Sequence, residues 1–141
     1  MKLLTVGTVA FDDIETPFGR AEKAIGGAAT YISLAASYFA EQVRIVSVVG
    51  DDFPESVLQD LTSRNIDLAG LEVKKGEKSF FWAGRYHNDM NSRDTLETQL
   101  NVLADFNPIL PFTQMNNDEK PLESIGDLIP DKIYSKQELI N

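Results

Sequence analysis

Paired carboxylates, paired glycines and a short aromatic run are the residues of this chain with chemistry to offer. Asp12 and Asp13 follow an apolar stretch at residues 2–11. Open α/β sheets place their ligands at the carboxyl ends of strands. A carboxylate there could accept hydrogen bonds from two sugar hydroxyls; a solvated loop accounts for the pair equally well. Gly26 and Gly27 stand before a small-residue segment at 28–40. Glycines ahead of a helix let backbone N–H groups approach a ligand's oxygens, helped by the helix dipole. Taken alone, the dipeptide reads first as a tight turn that glycine tolerates. Asp51 and Asp52 precede a second helical segment. Asp52 is placed to cap it and Glu55 to complete a capping box, so this pair is read as structural.

The remaining candidates are weaker. His87 is the single histidine and there is no cysteine, which excludes disulfides, thiolate metal sites and a cysteine nucleophile. A metal would rest on carboxylates alone, so no metal ligand and no catalytic residue is assigned, and His87 is read as a solvated strand residue. Phe80, Trp82 and Tyr86 alternate along 79–87 and are expected to pack on their sheet rather than to line a ligand wall. Arg85 and Arg93 could reach an anionic substrate group. No G-x-x-x-x-G-K-[ST] loop is present, and I-G-G-A-A-T lacks the dinucleotide-binding spacing.

Regular elements must hold these residues. The run at 2–11 reads as one strand buried on both faces, as in a covered parallel sheet. A turn between two short strands follows at 14–25. A helix is predicted over 28–40, burying Ile32, Ala35, Ala36 and Phe39, and a strand over 43–49. A helix over 53–64 buries Phe53, Val57, Leu58 and Leu61 and pairs Asp60 with Arg64 across one turn. Strands are predicted at 71–74, 79–87 and 94–103. The N-D-M-N-S turn at 88–92 joins the last two as an antiparallel hairpin. Periodicity fades after Pro108. A boundary is placed near 111, with residues 112–141 an irregular tail holding at most a short helix at 135–140.

Composition narrows the function. The chain has 141 residues, 43% of them hydrophobic, enough for one ordinary core. A net charge of −9, with 13 scattered basic residues, argues against nucleic acid or an anionic membrane face as partner. The N-terminal M-K-L-L-T-V-G-T-V-A reaches Asp12 too soon for a signal peptide, and no run is long enough to span a bilayer. A soluble, cytoplasmic protein is expected.

Three stretches occur in a telling order: V-G-T-V-A-F-D-D at 6–13, I-G-G-A-A-T-Y at 25–31, and V-V-G-D-D at 48–52, leading into R-N-I-D-L-A-G-L at 64–71. In order and spacing they resemble the N-terminal portion of the ribokinase-like (PfkB) carbohydrate and nucleoside kinases, over about residues 3–110. The resemblance implies a three-layer α/β fold with a small β lid, formed by strands near 14–25 and by the 79–103 hairpin. It implies that Asp12 binds substrate hydroxyls and that Gly26 and Gly27 pass the substrate along their backbone. Tyr31 stands at a substrate-side position where many relatives have asparagine. ATP and Mg2+ are implied as cofactors, a sugar or nucleoside as partner, and a homodimer through the lid as a further association. The family's G-A-G-D-like segment, which supplies the catalytic base, has no counterpart; Gly126-Asp127 lacks the preceding glycine and strand. The expectation is a substrate-side portion, residues 1–111, that does not turn over alone. The alternative is a non-catalytic binding or dimerising module.

Overall fold

In the computed structural model, which describes residues 1–108, the apolar run at 2–11 is two strands in two different sheets. β1 (Lys2–Val6) ends at Gly7, and β2 (Ala10–Thr16) begins a second sheet. The single-strand expectation is thereby corrected. Val9, Ala10 and Phe11 are buried, so apolar residues resume directly after Gly7 and Thr8, and those two residues are the sequence's only mark of the break. Gly7 donates its N–H to the Val46 carbonyl, while the Thr8 carbonyl accepts from Ala29.

The first sheet is parallel, in the order β1-β4-β5, with β4 at Gln42–Gly50 and β5 at Ile66–Lys74. β5 starts well before the predicted residue 71. The central strand β4 buries Val43, Ile45 and Val49 on one face and Val46 and Val48 on the other, as a covered parallel strand requires. Ala29 and Leu61, from the two helices, join Val43, Ile45, Val49 and Ile66 in one core cluster.

Helix α1 (Ala28–Ala36) follows β3 (Gly19–Gly26), and α2 (Glu55–Ser63) follows β4. The buried side of α1 is Ala29, Thr30 and Ser33. The expected stripe of Ile32, Ala35, Ala36 and Phe39 is corrected: Phe39 is 83% and Ile32 52% exposed, and only Ala36 packs on the core. The small residues of this helix face the core while Ile32 and Phe39 face solvent. A Cβ on Gly7 would lie 3.5 Å from the Ala29 methyl. For α2 the expected stripe holds, with Phe53 and Leu61 buried and Val57 and Leu58 packed beside them. Asp60 and Arg64 pair at 3.1 Å.

The second sheet is the lid, ordered β3-β2-β6-β7, with β6 at Phe80–Tyr86 and β7 at Arg93–Gln99. β2 runs antiparallel to β3 and parallel to β6, and β6–β7 is the expected hairpin. Its turn is held by Asp89, whose carboxylate accepts from the Asn91 and Ser92 amides and the Ser92 hydroxyl. These bonds hold the Asp89 carboxyl down at about 2. β7 stops at Gln99, and Asn101–Leu103 is a 3-10 turn with Val102 buried, not the strand predicted as far as 103. The α/β architecture with a small β lid is the one expected. The tail at 112–141, its helix at 135–140 and Gly126-Asp127 lie outside the described residues.

The second aspartate pair works differently from the reading as a helix cap. The residue before α2 is Pro54, and no side chain caps that helix. The Asp52 carboxylate instead accepts from the Ser79 N–H at 2.8 Å and the Ser79 hydroxyl at 2.7 Å. Ser79 Oγ in turn accepts from the Gly50 N–H. Asp51 accepts from the Gly76 N–H. The G-D-D stretch thus clamps the turn that carries the chain from the parallel sheet into the lid. Its role is structural, as expected, through partners about 27 residues away.

Candidate functional site

The two-residue period of a strand separates Asp12 from Asp13. Asp12 is in register with Trp82, and Ala10 with Phe80, across the parallel β2–β6 pair. These side chains share one face of the lid sheet; Asp13 belongs to the other. Asp12 therefore lies within a lid strand, not in a loop after the first strand as the sequence suggested.

The Asp12 face borders a cleft of about 330 Å3, within the roughly 300–1,000 Å3 range of small-molecule sites. One wall is aromatic: Phe80, Trp82 and Tyr86. Thr8, Gly27, Ala28 and Tyr31 face it from the hinge and the start of α1. The aromatic run packs on its sheet as expected, and it also lines this cleft. The Trp82 indole lies across Gly84, where a Cβ would come within 2.0 Å of the ring. Its Nε1–H donates to Thr95 Oγ1 at 3.3 Å. The Tyr31 hydroxyl donates to the Ile25 carbonyl at 2.8 Å, which fixes that ring at the rim.

Gly26 and Gly27 are needed for space. A Cβ on Gly26 would lie 2.1 Å from Asp12 Oδ2, so the missing side chain is the seat of the Asp12 carboxylate. Gly27 has φ 95°, and a Cβ there would lie 2.3 Å from the Thr8 carbonyl oxygen. Both strain and space exclude other residues at Gly27. The first N–H groups of α1 are already used: Ala28 donates to Thr8 Oγ1 and Ala29 to the Thr8 carbonyl.

Asp12 has no hydrogen bond or ion pair among the described residues, although burial pushes its carboxyl above the ordinary aspartate value. Polar groups held from water normally find a partner. Asp13 shows the contrast, accepting from the Lys23 N–H at 2.7 Å and pairing with Arg20. A larger recess of about 560 Å3 opens on the Asp13 face of the lid. Its acceptors are committed, with Asp52 bonded to Ser79 and Glu97 to Gln99. The smaller cleft is the better site because its carboxylate is unspent.

Of the two arginines singled out in the sequence, Arg85 pairs with Glu15 through two bonds outside the cleft. Arg93 lines the cleft, its guanidinium 5.9 Å from the Trp82 ring centroid. His87 is exposed in the hairpin and pairs with Asp94 at 3.1 Å. The α1 N-terminus is occupied by Thr8, Asp51, Asp52 and Glu55 surround the start of α2, and no group of three or more metal-ligating side chains occurs among the described residues.

No protein-family model matches the chain. A cytidine kinase of Thermococcus kodakarensis is 33% identical over 89 residues, covering 63% of this chain and 31% of its own length. A nucleoside kinase of Methanocaldococcus jannaschii, an archaeal member of the ribokinase family, superposes with a TM-score of 0.57 at 20% identity, over 71% of this chain and 37% of that one. A Burkholderia thailandensis nucleoside kinase solved with inosine gives 0.58 at 16% identity, over 72% and 37%. A Cryptococcus neoformans ribokinase solved with ADP gives 0.51 at 18%, over 71% and 34%. The chain spans about a third of the length of these proteins. Its fold is similar to part of these solved ribokinase-family structures, and its sequence to part of the cytidine kinase.

Proposed function

We propose that the cleft binds the phosphate acceptor of a ribokinase-like kinase, a sugar or sugar-bearing small molecule, with Asp12 accepting hydrogen bonds from its hydroxyls. The observation that carries this reading is the half-buried Asp12 carboxylate, unpartnered among the described residues and seated against Gly26 in a cleft with aromatic walls. A carboxylate offers about four lone-pair sites and no donor when ionised, which suits vicinal hydroxyls. Gly27 and Tyr31 flank the same space and bound the acceptor on the α1 side. The reaction in this reading is transfer of the terminal phosphate of ATP to a sugar hydroxyl. The described residues contribute binding and orientation of the acceptor, and the 141 residues contain no G-A-G-D-like segment. The isolated chain is therefore proposed to bind without turnover.

Isothermal calorimetry with ribose, fructose and nucleosides tests the site. Asp12→Asn is expected to weaken whichever of them binds by about tenfold or more, since hydrogen bonds to a charged group contribute roughly 1.5–3 kcal/mol. Unchanged affinity in Asp12→Asn would remove the assignment. A second reading, a non-catalytic module pairing with a second copy through the lid, draws on β7, which lies at the edge of the lid sheet among the described residues with Leu96 half exposed. That edge also carries Asp94 and Glu97, charges of the kind that guard strand edges against pairing.

A further inference from the structure

The cleft holds a second unspent group. Among the described residues the Arg93 guanidinium has neither ion pair nor hydrogen bond; its one contact is the loose approach to Trp82. Arg93 is in register with Tyr86 across β6–β7, which places it on the cleft face of the lid. The wall between Arg93 and Asp12 is built of flat rings rather than polar groups. A bare monosaccharide can rest a C–H face on such a wall but offers Arg93 no planar pair of adjacent acceptors. A ligand with a hydroxylated end and a flat, aromatic, acceptor-bearing end matches every part of it.

Arginine donates and cannot accept. Its planar fork favours two adjacent acceptors and stacks on aromatic faces. Among nucleobase edges, a carbonyl beside an unprotonated ring nitrogen offers that pair, whereas adenine sets an amino donor beside its ring nitrogen. We propose that Arg93 is the specificity-determining residue of the cleft and selects nucleosides whose base presents a carbonyl–nitrogen acceptor pair, such as hypoxanthine or cytosine, over adenine nucleosides and free sugars. The base stacks on the Trp82 ring, the guanidinium moves from the ring face to the base edge, and the ribose hydroxyls reach Asp12. No ion pair among the described residues is broken by that movement. The inference rests on the cleft being the hydroxyl-binding site proposed above.

Trp82 is the sole tryptophan, so its fluorescence in the full chain reports stacking directly. Titrations use inosine, cytidine, adenosine and ribose, with calorimetry for any ligand that leaves the emission unchanged. Inosine and cytidine are expected to bind about tenfold or more tighter than adenosine and ribose, on the discrimination typical of a bidentate arginine–base pair. In Arg93→Ala that preference collapses toward equality, and Arg93→Lys, which lacks the fork, does not restore it. Circular dichroism confirms that each variant is folded. Equal affinities for inosine and adenosine in the wild-type chain, or a preference unchanged in Arg93→Ala, overturn the assignment of Arg93. If Asp12→Asn still abolishes binding in that case, the hydroxyl site stands. Failure of all four ligands to bind by either method removes both.

Discussion

A carboxylate that the fold desolvates without pairing is costly, and Asp12 is such a group. Burial raises its pKa, so the folded state prefers the proton. Its ionised form weighs against folding at neutral pH, and that penalty fades as pH falls through the raised value. Asp12→Asn is therefore expected to raise the melting temperature at pH 7 relative to wild type, with the difference shrinking toward acid, while ligand binding is lost. Thermal melts of both proteins across pH 4–7.5 check this, and a variant less stable than wild type at pH 7 would contradict it. Ligand affinity should fall on the acid side at a pH above the ordinary aspartate range of about 3.9, because the protonated acid cannot accept from two hydroxyls at both oxygens.

The connection between the two sheets is the element on which lid position depends. Asp52, Ser79 and Gly50 form a continuous hydrogen-bonded chain there, and Asp51 holds the Gly76 amide. Removing the Asp52 carboxylate leaves two Ser79 donors unpaired in a partly buried turn, at a cost of about 1–3 kcal/mol. Asp52→Ala is expected to lower the urea midpoint accordingly. It should also speed hydrogen exchange at the Gly76 and Ser79 amides while leaving the α2 amides protected. Faster exchange confined to the first turn of α2 would instead restore the helix-cap role that the sequence suggested.

For the whole molecule, the question is what the chain does by itself. A coupled assay for ATP consumption with ribose, fructose and nucleoside panels is expected to show no turnover by the 141-residue chain, even where calorimetry shows binding. Robust turnover would overturn the reading of this chain as a substrate-side module. Light scattering of the same preparation is expected to give the monomer mass, because Asp94 and Glu97 on the exposed β7 edge oppose like-with-like pairing. A dimer mass would favour the alternative module that associates through its lid.

Local rules in the sequence carried much of the fold. The turn at 88–92 announced its hairpin, the stripe of α2 announced its buried side, and the order of V-G-T-V-A-F-D-D, I-G-G-A-A-T-Y and V-V-G-D-D announced the fold family. Those signals are short-range: periodicity, turn chemistry and spacing act within a few residues. What the tertiary structure decided lay in strand register and in contacts between distant segments. Near-continuous apolarity left only Gly7 and Thr8 to mark where β1 ended and β2 began. Only register with β6 sent Asp12 to the cleft and Asp13 to the opposite face. Only the fold set the small residues Ala29, Thr30 and Ser33 of α1 against the core, and only the fold brought Ser79 to Asp52. The sequence supplied the candidates Asp12, Gly26, Gly27 and Tyr31; packing gathered them, with Trp82 and Arg93, around one cleft.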